Sequence, residues 1–149
     1  MASLKFPADL DREVRDQRRA RLAPGYAVGV TEEMIHAQVH SFYARVREDA
    51  ELGAIFNRRI ADWDAHLAKL CDFWSSVLLM TGRFHGAPMR AHLQVAEINA
   101  PLFERWLGLW ADTAQKVCPP EAALLFTARA RTIASSLQLG IAASRGEAV

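Results

Sequence analysis

The stretch from Trp63 to Leu78 constrains the fold of this chain more than any other, because its apolar residues recur at the spacing of one helix face. The members of this stripe are Trp63, His66, Leu67, Leu70, Phe73, Trp74, Val77 and Leu78. Polar residues such as Asp64 and Lys69 fall outside it, as in an amphipathic helix that faces a core. We expect Asp62 to cap this helix and Gly82 to end it.

Helical spacing recurs along the rest of the chain. It predicts further helices at about 31–49, from 88 onward, at about 99–118 and at about 121–143. Thr31 and Asn99 are good N-caps, and the Pro119-Pro120 pair enforces a stop. Residues 51–61 carry more apolar side chains than a solvated loop needs, so we expect this linking piece to fold back onto the core. No strand pattern or internal repeat is apparent, which predicts the all-α class.

The spacing also predicts the domain organisation. Residues 1–30 are predicted to be an N-terminal extension, partly ordered or helical, in which Pro24-Gly25 ends any helix. Acidic residues interrupt the arginines of 11–22, which favours a solvated arm over a polyanion-binding site. The domain itself is predicted at 31–143, and 144–149 is predicted to be a C-terminal tail.

Composition excludes several classes of protein. The 149 residues carry 18 Lys and Arg against 17 Asp and Glu, a balance that removes the general electrostatic case for nucleic acid. No apolar run is long enough for a membrane span, and the N-terminus lacks a secretory signal, so we expect a cytoplasmic protein. Cys71 and Cys118 lack metal-site or redox spacing and are expected to be buried free thiols. Phosphate-binding, hydrolase and calcium-loop motifs are missing.

Two histidines carry the first functional hypothesis. His66 projects from the apolar stripe, where a histidine is commonly a core residue bonded to a carbonyl. His92 follows a Gly-x-Pro turn and, taken alone, fits an exposed surface residue. Together they form a weak clamp for a flat apolar cofactor, since a neutral imidazole binds iron and a second polar group can touch a bound diatomic ligand. His36 and His40 have zinc-binding spacing but no partner ligands, so a metal site there is not favoured.

Tyr43 and Trp106 each carry one polar group on a large apolar side chain, and that group lies either in a buried site or in water. Each lies on or beside the apolar face of its helix, where a buried phenol or indole needs a hydrogen-bond partner. The alternative is an interfacial residue with its polar atom in water. The sequence alone leaves both interpretations open.

The chain resembles a known family, the truncated haemoglobins, and within it the third group, which is typical of bacteria. The similar blocks are FYARVREDAELGAIFN (42–57), WDAHLAKLCDFWSSVLL (63–79), RFHGAPMRAH (83–92) and FERWLGLW (103–110). The combination of RFHGAPMRAH with HLAKLCDFW is the most specific part. With the last helix, the resemblance covers about 31–143, while the arm before Thr31 is longer than a minimal member needs.

The resemblance implies a two-on-two helical sandwich around haem b, built from the helices near 31–49 and 63–80 and those near 101–117 and 121–143. His92 is similar to the proximal iron ligand of the family, and Phe56 to the phenylalanine that stacks on the porphyrin. Tyr43, His66 and Trp106 resemble its distal polar residues. The implied apolar pocket wall is Leu70, Phe73, Trp74, Met89, Ile98 and Phe103. Arg90 is implied as the partner of a propionate.

The resemblance also implies a function: binding of dioxygen and other small ligands (NO, CO, peroxide, sulfide or cyanide) at a five-coordinate iron. Several distal donors would slow oxygen release, which favours ligand chemistry or detoxification over bulk transport. Peroxidase-like or NO dioxygenase-like turnover would need an unknown reductase. A monomer or weak dimer is expected.

Two alternatives belong to other classes. One is a haem-based sensor or haem-transfer module without turnover, recognised by six-coordinate iron or fast haem loss. The other is a cofactor-free helical interaction module, whose apolar stripe packs only against itself.

Overall fold

The computed structural model describes residues 7–146, which form seven α-helices joined by short connections. The helices are α1 (Pro7–Leu22), α2 (Glu32–Glu48), α3 (Leu52–Arg59), α4 (Trp63–Leu79), α5 (Pro88–Leu93), α6 (Ala100–Val117) and α7 (Pro120–Ser144), with a 3₁₀ turn at Tyr26–Val28. This part of the chain contains no strand, which confirms the all-α class. The first six residues of the predicted extension and the last three of the predicted tail lie outside the described residues.

The helix caps follow the sequence prediction. Thr31, Asp62 and Asn99 each accept a hydrogen bond from the backbone amide three residues later, at 3.2, 3.1 and 3.0 Å. These bonds satisfy one of the orphan amides that open α2, α4 and α6.

The helices form two packed pairs, α2 with α4 and α6 with α7, and α2 packs across α6. α3 packs against α2, whereas the short α5 packs against α7. The pairs implied by the resemblance are therefore present. Within residues 7–146, no helix has the length and apolar character needed to cross a bilayer.

Trp110 lies at the centre of the core and is fully buried. Its ring stacks between Trp74 of α4, at 4.6 Å, and Trp106 of α6, at 5.7 Å. Its indole N–H donates to the carbonyl of Phe126 on α7, and its own carbonyl accepts from the Gln38 side chain on α2, each at 3.1 Å. This one residue therefore connects four helices.

The N-terminal part divides in two. α1 has no buried residue. Ala23, Gly25 and Val30 are buried, and the Gly25 amide donates to the Leu78 carbonyl at 2.8 Å. The segment before Thr31 is thus attached to the end of α4, while the domain boundary at Thr31 stays a prediction.

Two local predictions were wrong. α4 ends at Leu79, because Met80 adopts a left-handed conformation (φ 55°) and turns the chain before Gly82. This early turn lets the Thr81 hydroxyl reach the buried Ser75 hydroxyl at 2.9 Å. The second error concerns the cysteines, since Cys118 is buried as expected but Cys71 is only half-buried.

The linking piece after α2 folds onto the core as expected, but as the helix α3. Its second residue, Gly53, lies so close to the end of α2 that an added Cβ would be 2.7 Å from the Arg47 carbonyl oxygen. Only glycine allows this approach without displacing backbone.

Asp49 joins α2, α3 and α6. Its carboxylate accepts from the amides of Glu51 and Leu52, at 3.0 and 2.9 Å, and so satisfies the start of α3. Arg105 of α6 donates to both carboxylate oxygens, at 2.9 and 3.0 Å. The Arg105 hydrogen bonds, helped by those from the Leu52 and Glu51 amides, lower the pKa of Asp49 to about 2.

We predict that Asp49→Asn lowers the free energy of unfolding by about 1 kcal/mol near neutral pH, since asparagine still accepts the amides but loses the ion pair, which solvent partly screens. The pKa of this carboxyl is 3.8 in the unfolded chain and lower in the folded protein. The carboxylate therefore stabilises the fold above pH 3.8, and this contribution is lost as the pH falls toward about 2. Urea unfolding across this range should therefore show the wild type and the variant converging. Asp16→Asn on the exposed α1 is the control, and an Asp49→Asn protein as stable as this control contradicts the role of the pair.

Candidate functional site

Tyr43 lies at the centre of an aromatic group formed by α2, α3 and α4. Its ring contacts Phe56 of α3 at 5.8 Å, and His66 and Trp63 of α4 at 5.9 and 6.0 Å between ring centroids. The His66 ring meets Tyr43 edge to face, with an interplanar angle of 89°. Three of the residues singled out in the sequence, Tyr43, Phe56 and His66, therefore lie together.

The Tyr43 hydroxyl is buried rather than placed in water, since the residue is only 4% exposed. Burial raises the pKa of Tyr43, and a side-chain hydrogen bond with Trp106 offsets part of that effect. An indole N–H is a donor only, so a hydrogen bond between these two side chains runs from Trp106 to the phenol oxygen. Such a bond leaves the phenol proton for another acceptor.

His66 is half-buried on the face of α4 that looks toward Tyr43. Burial lowers the pKa of His66, and the nearby charge of Lys69 adds to the effect. The imidazole is therefore neutral at neutral pH, with one nitrogen able to donate and the other to accept.

Trp63 contacts both Tyr43 and His66. It belongs to the predicted apolar stripe of α4 but was not among the predicted site residues. It meets His66 edge to face at 5.9 Å, and the Arg47 guanidinium lies 4.7 Å from its ring centroid. The available signal was the spacing, because Trp63 precedes His66 by three residues and so shares its helix face.

His92 lies half-buried on α5, apart from the helices that carry Tyr43 and His66. Its Nδ1 lies 2.6 Å from the Pro88 carbonyl oxygen, a contact that requires Nδ1 to carry the proton. The lone pair is then on Nε2. A backbone carbonyl bound to one ring nitrogen in this way commonly orients an imidazole whose other nitrogen binds a metal.

Met89 holds α5 against α7. A Cβ added to Gly140 would lie 2.4 Å from the Met89 methyl carbon and 2.5 Å from its sulfur. The glycine therefore provides the space into which the thioether fits, and α5 can lie close to α7.

The connection from α4 to α5 is also fixed by polar contacts that the sequence did not indicate. The buried Ser75 donates to the Glu32 carboxylate at 2.7 Å and accepts from Arg83 at 2.6 Å. Arg83 also pairs directly with Glu32. A serine next to the apolar stripe gives no signal for such a partner, because Arg83 is eight residues away.

The wall residues predicted from the sequence fall into two sets. Half-buried are Leu70, Phe73, Met89 and Ile98, whereas Trp74 and Phe103 are buried in the core. Ile98 and Phe103 also line a surface pocket on the side of α7. Arg90 is exposed, and its role toward a propionate stays a prediction.

These residues fit a haem better than a bare metal ion. Among residues 7–146, no group of three or more His, Cys, Asp and Glu side chains could hold a metal ion. A protein site for a bare transition-metal ion normally supplies at least three ligands, whereas haem iron needs only one axial imidazole, because the porphyrin supplies the rest. The lone pair of His92 Nε2 and the half-buried apolar side chains match that second requirement.

Known proteins with a similar sequence and a similar fold exist. No family model matches the chain. The group 3 truncated haemoglobin of Campylobacter jejuni is 34% identical over 113 residues, which cover 73% of this chain and 89% of that protein. The crystal structure of the group III truncated haemoglobin from Campylobacter jejuni matches with a TM-score of 0.72 and 34% identity, over 75% of this chain and 91% of that chain. The resemblance and the truncated-globin fold are confirmed.

We predict that Tyr43 ionises well above the ordinary tyrosine pKa of 10.0 in the haem-free protein, and that its ionisation accompanies alkaline unfolding. Because the pKa of Tyr43 is higher in the folded protein than in the unfolded chain, the buried phenol contributes its full stabilisation below the pKa of the unfolded chain. This contribution is lost as the pH rises above that pKa. Tyrosinate absorbance should show one late step in Tyr26→Phe, which retains only Tyr43 of the two tyrosines. Tyr43→Phe is the matched control and should lack that step. An ordinary titration of Tyr43 in folded Tyr26→Phe contradicts the burial.

Proposed function

Because the chain belongs to the group III truncated haemoglobins, we propose that it holds haem b through His92 and controls small ligands with Tyr43, His66 and Trp106. Membership of the family implies a haem-binding globin for small gaseous ligands. The single observation that carries the finer assignment is the contact of His92 Nδ1 with the Pro88 carbonyl, which leaves Nε2 free to bind a metal.

The proposed cofactor contacts come from both sides of the site. Phe56 would stack on the porphyrin, and the apolar side chains of Leu70, Phe73, Met89 and Ile98 would exclude water from it. When bound, haem b would supply an iron that can take one small ligand.

Tyr43 is the proposed principal donor to that ligand. Its oxygen would accept from the Trp106 indole N–H, which would leave its own O–H proton available. Trp106 then acts mainly by orienting the phenol. The neutral imidazole of His66 would supply a second donor or acceptor beside it.

The proposed activity is chemistry at the bound ligand rather than oxygen transport. Each hydrogen bond to the ligand slows its release, and a carrier needs release to be fast. The candidate ligands are O2, NO, CO, peroxide, sulfide and cyanide. Peroxidase-like or NO dioxygenase-like turnover would require electrons from a separate reductase.

We predict that the purified protein shows a Soret band that shifts on reduction and shifts again with carbon monoxide. His92→Ala should lose stable haem binding, because no other residue then offers the same imidazole on α5. His85→Ala, in the exposed turn before α5, and His66→Ala are the controls and should keep their haem.

Three results would contradict parts of this proposal. Full haem affinity and an unchanged spectrum in His92→Ala would exclude that residue as the ligand. A six-coordinate reduced spectrum without added ligand would instead favour the sensor or haem-transfer alternative. A colourless protein, even after haem addition, would favour the helical interaction module.

We predict that Tyr43→Phe accelerates oxygen dissociation about tenfold, the factor that corresponds to losing about 1.4 kcal/mol of hydrogen bonding. Trp106→Phe should have a smaller effect on oxygen dissociation, because the indole is proposed to act on the ligand indirectly, by orienting the Tyr43 phenol. Stopped-flow displacement of oxygen by carbon monoxide measures both, with the exposed Tyr26→Phe as control. Changes below about twofold in both variants would mean that neither side chain stabilises the ligand.

A further inference from the structure

The α5–α6 loop, residues 94–99, follows the helix that carries His92 and is tied to the end of α7. Arg145 donates to the carbonyl of Ile98 at 2.8 Å, and to those of Ala96 and Val95 at 3.2 and 3.3 Å. A guanidinium holds several donors in one plane, so three carbonyls bound together fix the shape of the loop.

The same loop is joined to α3 by an ion pair. The Glu97 carboxylate lies 2.7 Å from Nη2 of Arg59, the last residue of α3, and 3.9 Å from Nη2 of Arg58. Both partners are partly covered, with side-chain exposures of 39% for Arg59 and 36% for Glu97. The first contact has the short distance of a charge-assisted hydrogen bond.

The ion pair connects two elements whose main packing partners differ. α3 carries Phe56 and packs against α2, whereas α5 carries His92 and packs against α7. If the cofactor lies between Phe56 and His92, as the proposed function has it, movement of these two supports away from each other would release it. The Arg59–Glu97 pair opposes that movement at the edge formed by α3 and the α5–α6 loop.

We propose that the Arg59–Glu97 ion pair is a latch that closes this edge and slows loss of the cofactor, with Arg145 holding the loop in position for the pair. The inference rests on the proposed function, because it assigns the retained molecule as haem. It adds three residues, Arg59, Glu97 and Arg145, that act on cofactor retention without being assigned as ligands.

The first experiment measures haem transfer from the ferric holoprotein to excess apomyoglobin. Glu97→Gln and Arg59→Gln should each accelerate transfer about two- to fivefold, the range expected for a partly exposed ion pair. The double neutral variant should be no faster than either single variant, because the second change removes nothing further. The charge swap Arg59→Glu with Glu97→Arg should return the rate to within about twofold of wild type.

Lys116→Gln is the matched control for removing one exposed charge. Lys116 pairs with Asp112 at 3.1 Å within α6, so its loss should leave haem transfer unchanged. If Arg59→Gln accelerates transfer but Glu97→Gln does not, Arg59 holds the cofactor directly and the latch is refuted. Equal acceleration by Lys116→Gln would also overturn it, since the effect would then be one of general stability.

A second readout uses the haem-free protein. Hydrogen exchange in the peptides of 52–60 and 94–99 should increase together in Glu97→Gln and in Arg59→Gln, because each variant frees both sides of the edge. Arg145→Gln should increase exchange most in 94–99 and to a smaller extent in 52–60, because the displaced loop weakens the ion pair. Failure of the wild type to take up haem would count against the proposed function, whereas unchanged exchange in both ion-pair variants would count against the latch.

Discussion

The burial of Trp110 is the constraint on which the rest of this structure depends. Its ring and its two backbone-directed hydrogen bonds leave α2, α4, α6 and α7 little freedom to slide, since a shift of any one would unpair a buried polar group or open a cavity. Trp106 lies one helical turn earlier and stacks parallel to it, within 6°. The orientation of the Trp106 indole is therefore set by the core, not by the site.

The two sides of the site are built in different ways. Tyr43, His66 and Trp106 lie on helices of 17 or 18 residues that the aromatic core supports. His92 lies on a helix of six residues, too short to be stable by its own hydrogen bonds. It depends on what surrounds it: Met89 against Gly140 and the anchored loop that follows. Motion in this site should therefore begin at α5.

The sequence predicted the helices and their caps, which depend on residues close together in the chain. It did not predict the polar contacts between residues that are far apart in the chain. The structure contains the apolar stripe of α4, which follows from helical periodicity. It also contains the predicted N-caps Thr31, Asp62 and Asn99, each next to the helix that it caps. Arg59 and Glu97 are 38 positions apart, and no spacing rule pairs them. The early end of α4 was also missed, because it goes with a left-handed Met80 and a contact of Thr81 with the buried Ser75, neither of which the spacing records. Candidate site residues on periodic faces were visible for this reason, whereas the polar contacts that position α5 were not.

The hydrogen-bonding groups around Tyr43 share one electrostatic property. Burial raises the pKa of the phenol and lowers the pKa of His66, so both side chains are uncharged at neutral pH, as is the indole of Trp106. None of these three side chains therefore offers a charge of its own to a bound ligand, and each acts through hydrogen bonds. The charges of Lys69, beside His66, and of Arg47, over the Trp63 ring, lie outside this trio. Discrimination by Tyr43 would then depend on how strongly a bound ligand accepts the phenol proton, which favours ligands that become polarised on binding over ligands that accept a hydrogen bond weakly.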